Sequence, residues 1–128
     1  MRKPILILTL VLAGILLAAC ASNADAPAQA VQNYLEALVN KEAEKLPALV
    51  CGEWEEDALI ELDSFQAVTA RLEDVSCSQT GADGDTALVL CTGSIVATYN
   101  NEDQKLDLSV RTYQVVQQGG DWLVCGTR

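Results

Sequence analysis

The hydrophobic pattern changes its period once, near Val68, and this change constrains the fold more than any other feature of the sequence. Before Val68, apolar residues recur every three or four positions, which is typical of helices with one buried face. After Val68 they alternate with polar residues, which is typical of strands with one buried face. Helices followed by strands predict an α+β domain in which the helices cover one face of the sheet.

Three helices are expected before the change of period. The first covers residues 27–39 and begins at Pro27, a residue that suits the first turn of a helix. The second covers residues 42–50, and Pro47 in its middle predicts a kink. The third follows Gly52 and covers residues 53 to about 65. The apolar positions expected to face the sheet are Val31, Tyr34, Leu35, Leu38, Leu46, Leu49, Val50, Trp54, Ala58, Leu62 and Phe65.

Four strands are expected after the change, near residues 69–79, 86–99, 105–117 and 121–126. Their connections contain residues that favour turns, namely Gly81–Asp85, Asn100–Asp103 and the pair Gly119–Gly120. Short connections predict an antiparallel meander. Because 128 residues allow one domain, we predict a single α+β domain over residues 27–128, with its N-terminal helices packed on one face of a four-stranded antiparallel sheet.

The hairpin turns fix a trial register that brings the cysteines together. With the turns centred at Gly84, between Glu102 and Asp103, and between Gly119 and Gly120, strand pairing opposes Cys77 to Cys91, Cys91 to Gln114, and Gln114 to Cys125. Opposed residues share a face, so Cys77, Cys91 and Cys125 lie on the face that the helices cover. The opposite face then carries Arg111, Tyr113, Val115, Trp122 and Val124.

This register favours disulfides between Cys77 and Cys91 and between Cys51 and Cys125. Four cysteines allow three pairings, and a zinc site with four thiolates is a further alternative. The spacing lacks a Cys-x-x-Cys motif, which argues against zinc.

The first twenty residues have the pattern of an export signal. Arg2 and Lys3 precede an apolar run over residues 5–19, which is shorter than the about 20 residues that a membrane-spanning helix needs. The run ends in Leu17-Ala18-Ala19-Cys20, which resembles the lipobox of bacterial lipoproteins. Cleavage of an ordinary secreted protein within Ala19-Cys20-Ala21 is the alternative.

The lipobox resemblance implies a signal peptide over residues 1–19 and a lipid-modified Cys20. Residues 20–26 would then be the lipidated cysteine and a short tether. The membrane becomes a partner through this lipid, because two acyl chains hold a protein firmly. The expected location is the cell envelope, on the outer face of the cytoplasmic membrane or on another envelope membrane.

The layout of residues 27–126 is similar to the nuclear transport factor 2-like superfamily, whose domains have a cystatin-like α+β fold. The similar features are the opening helix Pro27–Leu38, a second helix ending in Cys51, and the closing stretch Gly119–Cys125. This resemblance implies a cone-shaped sheet around the helices. Members of the superfamily range from enzymes to pocket binders and interaction modules, so the resemblance does not select a function.

Composition excludes several kinds of chemistry. The chain has 8 Lys and Arg against 18 Asp and Glu, a formal net charge of −10 and no His. An acidic chain is a poor nucleic-acid binder, and the absence of His excludes His-activated nucleophiles and His-ligated zinc. We therefore expect no catalytic residue, cofactor or metal site. The acidic residues around Trp54 and the stretch Asp83–Asp85 are interpreted as a solvated helix face and a turn.

Three hypotheses for the function remain. The first is a lipid-anchored, extracytoplasmic domain without catalysis that binds or interacts with another envelope component. The second is a small-ligand pocket binder, and the third is an enzyme that uses a carboxylate. The candidate pocket or interface residues are Tyr34, Trp54, Tyr99, Arg111, Tyr113 and Trp122. The partly apolar face away from the helices also suggests a homodimer.

Overall fold

The computed structural model describes residues 25–128, in which helices precede a five-stranded antiparallel sheet. The helices are α1 (Ala26–Val39), α2 (Leu46–Leu49) and α3 (Glu55–Asp63). The strands are β1 (Thr69–Asp83), β2 (Thr86–Tyr99), β3 (Glu102–Asp107), β4 (Thr112–Gln118) and β5 (Asp121–Thr127). The predicted α+β class is confirmed. The predicted signal peptide and Cys20 lie outside the described residues, and Ala26, predicted to end the tether, already begins α1.

The second predicted helix is shorter than expected. A 3-10 turn over Ala43–Lys45 leads into α2, and Pro47 lies in the first turn of α2. Proline is tolerated there because the first helical N–H groups have no partner within the helix. Pro47 therefore begins a helix and does not kink one. No helix within residues 25–128 has the length and apolar character needed to cross a membrane.

The third predicted strand, residues 105–117, is interrupted in its middle. β3 ends at Asp107, and a 3-10 turn over Leu108–Val110 separates it from β4. The Asp107 carboxylate accepts hydrogen bonds from the Ser109 N–H at 2.9 Å and the Ser109 hydroxyl at 2.7 Å. This local bonding competes with strand pairing. Both β3 and β4 pair with β2, so the sheet has five strands and not four.

The interruption changes the register of β4. Val89 of β2 faces Tyr113, whereas the predicted register opposed it to Val116. A shift by an odd number of residues moves side chains to the other face of the sheet. Tyr113 and Val115 therefore lie on the face that the helices cover, and Val124 follows because it stays opposite Val115. All three are 0% exposed, so their predicted place on the open face was wrong.

The helix-covered face of the sheet forms the core of the domain. α1 supplies Val31, Tyr34, Leu35 and Leu38, each 0% exposed. The remaining members of the core include Leu46, Ala58, Leu62, Phe65, Val89, Cys91, Ile95, Leu108, Tyr113, Val115 and Val124. Leu106, near the end of β3, and Val110, in the 3-10 turn that follows, are 48% and 78% exposed and lie outside this core.

The opposite face of the sheet carries a ladder of charges where β1, β2 and β3 pair. Val96 lies between Arg71 and Lys105 in the register and is 0% exposed. Lys105 pairs with Glu73 at 2.6 Å, and Arg71 approaches Asp103 at 3.5 Å. Charged side chains thus cover the apolar Val96, and this part of the outer face is polar.

The four cysteines of the described chain form two pairs at disulfide distance. Cys77 and Cys91 face each other across β1 and β2 with a Cα separation of 4.0 Å. Cys51 and Cys125 have a Cα separation of 5.2 Å. Cys125 lies in a bulge of β5, and the Cys51 N–H donates to the Val124 carbonyl oxygen at 3.0 Å. This arrangement is consistent with the predicted pairing.

Candidate functional site

Four of the six predicted site residues meet beneath α3, around a carboxylate that the sequence analysis did not single out. Tyr34 comes from α1, Trp54 precedes α3, and Arg111 and Tyr113 flank the start of β4. The Tyr34 hydroxyl donates to Glu61 Oε2 at 2.6 Å, and Arg111 Nη1 donates to Glu61 Oε1 at 2.7 Å. The rings of Tyr34 and Tyr113 meet edge to face, with centroids 6.4 Å apart. We call these five residues the Glu61 cluster.

Burial dominates the electrostatics of the Glu61 cluster. It raises the pKa of Tyr34 far above its ordinary value, and the negative charge of Glu61 raises it further. Burial also raises the pKa of Tyr113 to about 12, although Arg111 opposes the shift. Burial would lower the pKa of Arg111, but Tyr113 and Glu61 outweigh it and raise that pKa. Near neutral pH both phenols are therefore protonated and the guanidinium is charged.

Two buried polar atoms of the cluster have no hydrogen-bond partner within residues 25–128. They are Trp54 Nε1 and the Tyr113 hydroxyl oxygen. Trp54 lies near enough to Tyr34, and Arg111 near enough to Tyr113, to affect the phenol pKa values, yet neither contact has hydrogen-bond geometry. Both Glu61 oxygens already accept bonds from the same chain. The cluster therefore connects α3 to α1 and to the start of β4.

Trp122 lies apart from the Glu61 cluster. It is at the end of the sheet where the β1–β2 and β4–β5 turns are. It packs against the core and separates two grooves. The sheet groove, of about 420 Å³, is lined only by strands and turns: Gln79, Ala82, Gly84, Asp85, Thr86, Ala87, Val116, Gln117 and Trp122. The helix groove, of about 390 Å³, is lined by Ala26, Gln29, Ala30, Asn33, Ala48, Leu49, Gly120, Asp121 and Trp122.

Local structure explains how these side chains converge. Gln117 is directly opposite Trp122 in the β4–β5 hairpin, whose turn is Gly119–Gly120. Gln29 and Asn33 are one helical turn apart on α1 and are joined by a hydrogen bond of 2.9 Å. Each groove has a volume in the range of small-molecule sites, which is about 300–1,000 Å³. In the part of the chain that the structure describes, no Lys or Arg lines either groove.

Tyr99 is separate from both sites. It is 61% exposed at the end of β2, beside a smaller groove of about 230 Å³ that Val68, Ala97, Glu102 and Gln104 complete. The structure therefore brings together four of the six predicted site residues and leaves Tyr99 and Trp122 apart.

Three of the five residues predicted for the dimer face do not lie on the surface. Tyr113, Val115 and Val124 are fully buried and cannot contact a second copy. Arg111 and Trp122 remain accessible in part, but Arg111 is engaged by Glu61. The reason is the register change of β4, which moved the apolar residues of this proposed face into the core.

Several residues of these sites were missed by the sequence analysis. Glu61 was included in a solvated acidic face, although its spacing of seven residues from Trp54 places both on one side of a helix. Gln29, Asn33 and Gln117 have no motif that marks them. Pairing of Gln117 with Trp122 follows from the Gly119–Gly120 turn and could have been noticed. Within residues 25–128, no three Cys, Asp or Glu side chains converge as metal ligands.

Comparison with known proteins supports the fold class. No protein-family model matches the sequence, and no curated protein matches it. The chain is similar in structure to a SEC-C motif containing protein from Rhodopseudomonas palustris, whose solution structure superposes with a TM-score of 0.54. The two chains are 13% identical, and the match covers 82% of this chain and 79% of the other. At this identity the similarity shows a shared α+β fold alone.

Proposed function

We propose that the protein is a lipid-anchored, extracytoplasmic binding domain without catalytic activity. The observation that carries this proposal is the arrangement of its five cysteines. Two pairs lie at disulfide distance, Cys51 with Cys125 and Cys77 with Cys91. Cys20 is the remaining cysteine of the sequence. Structural disulfides persist in oxidising compartments outside the cytoplasm. The lipobox resemblance gives the remaining cysteine a role as the site of lipid attachment.

We assign the domain to the cystatin-like fold of the nuclear transport factor 2-like superfamily. Support comes from α1, which packs on one face of an antiparallel sheet and contacts β1, β2, β4 and β5. Grooves at both ends of that sheet suit a superfamily that includes pocket binders.

The grooves favour binding of a small ligand over the alternative of interaction with an envelope protein. Trp122 lines two grooves of small-molecule size. Three of the five residues of the face proposed for protein contact are buried in the core instead, namely Tyr113, Val115 and Val124. The third hypothesis, a carboxylate enzyme, has less support because Glu61 is engaged by Tyr34 and Arg111. The ligand is thus expected beside Trp122, at the end of the sheet.

Metabolic labelling with a fatty acid tests the anchor. We expect the full chain to incorporate the label and to partition into detergent, whereas Cys20→Ala should do neither. The double variant Cys51→Ala/Cys125→Ala is the matched control, because it removes two cysteines but keeps Cys20 and should retain the label. An unlabelled full chain in the aqueous phase would overturn the proposal.

A further inference from the structure

We propose that the sheet groove and the helix groove form one binding site for a neutral glycan chain, which passes over the exposed part of Trp122 from one groove to the other. This inference rests on the proposed binding function and names its class of ligand. Among the described residues, Trp122 is the one that lines both grooves. A chain ligand that crosses the indole would therefore contact both.

The aromatic ring provides the apolar part of the site. A sugar ring has a face of C–H groups and a rim of hydroxyls, so it suits an aromatic side chain surrounded by polar groups. Around Trp122 the walls carry small residues, including Ala30, Ala87 and Gly120. Small side chains leave room for a ring to approach the indole closely.

The polar groups match hydroxyls in their hydrogen-bonding capacity. Gln79 and Gln117 line the sheet groove, and Gln29 and Asn33 line the helix groove. A side-chain amide both donates and accepts hydrogen bonds, as a hydroxyl does. Gln117 lies directly across the hairpin from Trp122, so its amide can reach the rim of a ring stacked on the indole.

The charges of the grooves select a neutral ligand over an anionic one. Asp85 lines the sheet groove and Asp121 lines the helix groove, and among residues 25–128 no Lys or Arg lines either groove. A phosphate or carboxylate would meet negative charge without a cation to balance it. A carboxylate is acceptor-only and can hold sugar hydroxyls as donors. The chain as a whole is also acidic, with a formal net charge of −10.

The site lies close to the proposed anchor. Ala26 lines the helix groove and is six positions after Cys20 in the sequence. With lipid on Cys20, the site would be held near the membrane surface, where it could bind glycan strands of the envelope.

NMR of the two tryptophans gives a test with an internal control. The chain has two Trp residues, so its ¹H–¹⁵N spectrum contains two indole resonances. The full chain, in detergent, is titrated with a hexamer of N-acetylglucosamine, with maltohexaose, and with hexalysine. Trp122→Phe assigns the resonances. We expect the Trp122 signal to shift in a saturable way with at least one neutral oligosaccharide, while the Trp54 signal stays in place.

Matched amide variants test the contacts. Gln117→Ala and Asn33→Ala should each weaken binding about tenfold, which corresponds to about 1.4 kcal/mol. Gln104→Ala is the control, since it removes an amide from the groove beside Tyr99 at the other end of the sheet. It should leave the affinity unchanged, and all variants should retain the spectrum of a folded chain.

Two results would overturn the inference. One is the absence of any Trp122 shift with either neutral oligosaccharide, and the other is a response to hexalysine alone, which would indicate a site for cations. Either result in a chain that still carries lipid would reject the ligand class and leave the proposed anchor intact. Loss of the lipid label would reject the anchor, whatever the titration shows.

Discussion

The Tyr34 hydroxyl donates a 2.6 Å hydrogen bond to Glu61, whereas the hydroxyl of the neighbouring Tyr113 is buried and has no hydrogen-bond partner in the described part of the chain. The two rings touch edge to face, and both side chains are 0% exposed. They therefore share one environment and differ in the satisfaction of a single polar group. Comparing the two residues separates the free-energy cost of burying an unpaired hydroxyl from the stabilisation that a hydrogen-bonded hydroxyl provides.

Removal of the two hydroxyls should have opposite effects on stability. Tyr34→Phe removes a hydrogen bond to a charged acceptor and should lower the free energy of unfolding by about 1.5–3 kcal/mol. Tyr113→Phe removes an unpaired polar group and should be neutral or stabilising by up to about 1 kcal/mol. Urea unfolding of both variants measures the difference. A loss of stability in Tyr113→Phe equal to that in Tyr34→Phe would contradict the observed geometry.

The two hydrogen bonds that Glu61 accepts should contribute unequally to the stability of the fold. The Arg111 side chain is 42% exposed and can turn to water when Glu61 is lost, but the Tyr34 hydroxyl cannot. In a double-mutant cycle, we expect the interaction free energy between Tyr34→Phe and Glu61→Ala to be about 1.5–3 kcal/mol. Coupling between Arg111→Ala and Glu61→Ala should be about 1 kcal/mol or less. Double-mutant cycles measure both, and the reverse order would show that the ion pair holds α3.

Alkaline pH should destabilise the fold through the buried phenols. An unfolded tyrosine loses its proton near pH 10, but burial raises the pKa of folded Tyr113 to about 12. The folded state therefore holds more protons in this interval, and stability is complete below pH 10 and falls as pH rises toward 12. One tyrosine contributes a slope of about 1.4 kcal/mol per pH unit. Urea unfolding at several pH values should show a smaller slope for Tyr113→Phe, and equal slopes would contradict the account.

Gly93 of β2 should not tolerate substitution by a residue with a side chain. It has a φ of +89°, and a Cβ there would meet the Asp74 carbonyl oxygen and lie 2.6 Å from the Glu73 oxygen. β1 is irregular at this point, between Glu73 and Ser76. Gly93→Ala should cost more than about 2 kcal/mol, measured by thermal unfolding. The control is Gly81→Ala, whose Cβ would have a 3.9 Å contact with Leu88 and which should remain near wild-type stability.

The sequence was sufficient for the element order because each long segment has one clear period. α1 coincides with its predicted apolar stripe. Cys77 faces Cys91 as predicted, but the turn itself pairs Asp83 with Thr86, and a register shift between Gln79 and Gly81 is needed to bring the two cysteines opposite each other.

The interruption after β3 could not be predicted from periodicity. Leu106, Leu108 and Val110 alternate as in a strand, yet Asp107 bonds to Ser109 and ends β3. The register of β4 depends on that turn, so Tyr113 was placed on the wrong face. The Glu61 cluster could not be predicted from the sequence pattern either, because Arg111 and Tyr34 contact Glu61 only through tertiary packing. Trp122 was identified as an aromatic residue, but its grooves require α1 and two hairpin turns together.

The intact mass of the protein isolated from membranes tests the central claim most directly. We predict a chain that begins at Cys20, carries the mass of at least two acyl chains, and is about four hydrogens lighter than its reduced form, a pair for each disulfide. Reduction should restore those hydrogens and leave the lipid in place. An unprocessed chain of 128 residues with five free thiols and no lipid would contradict the account.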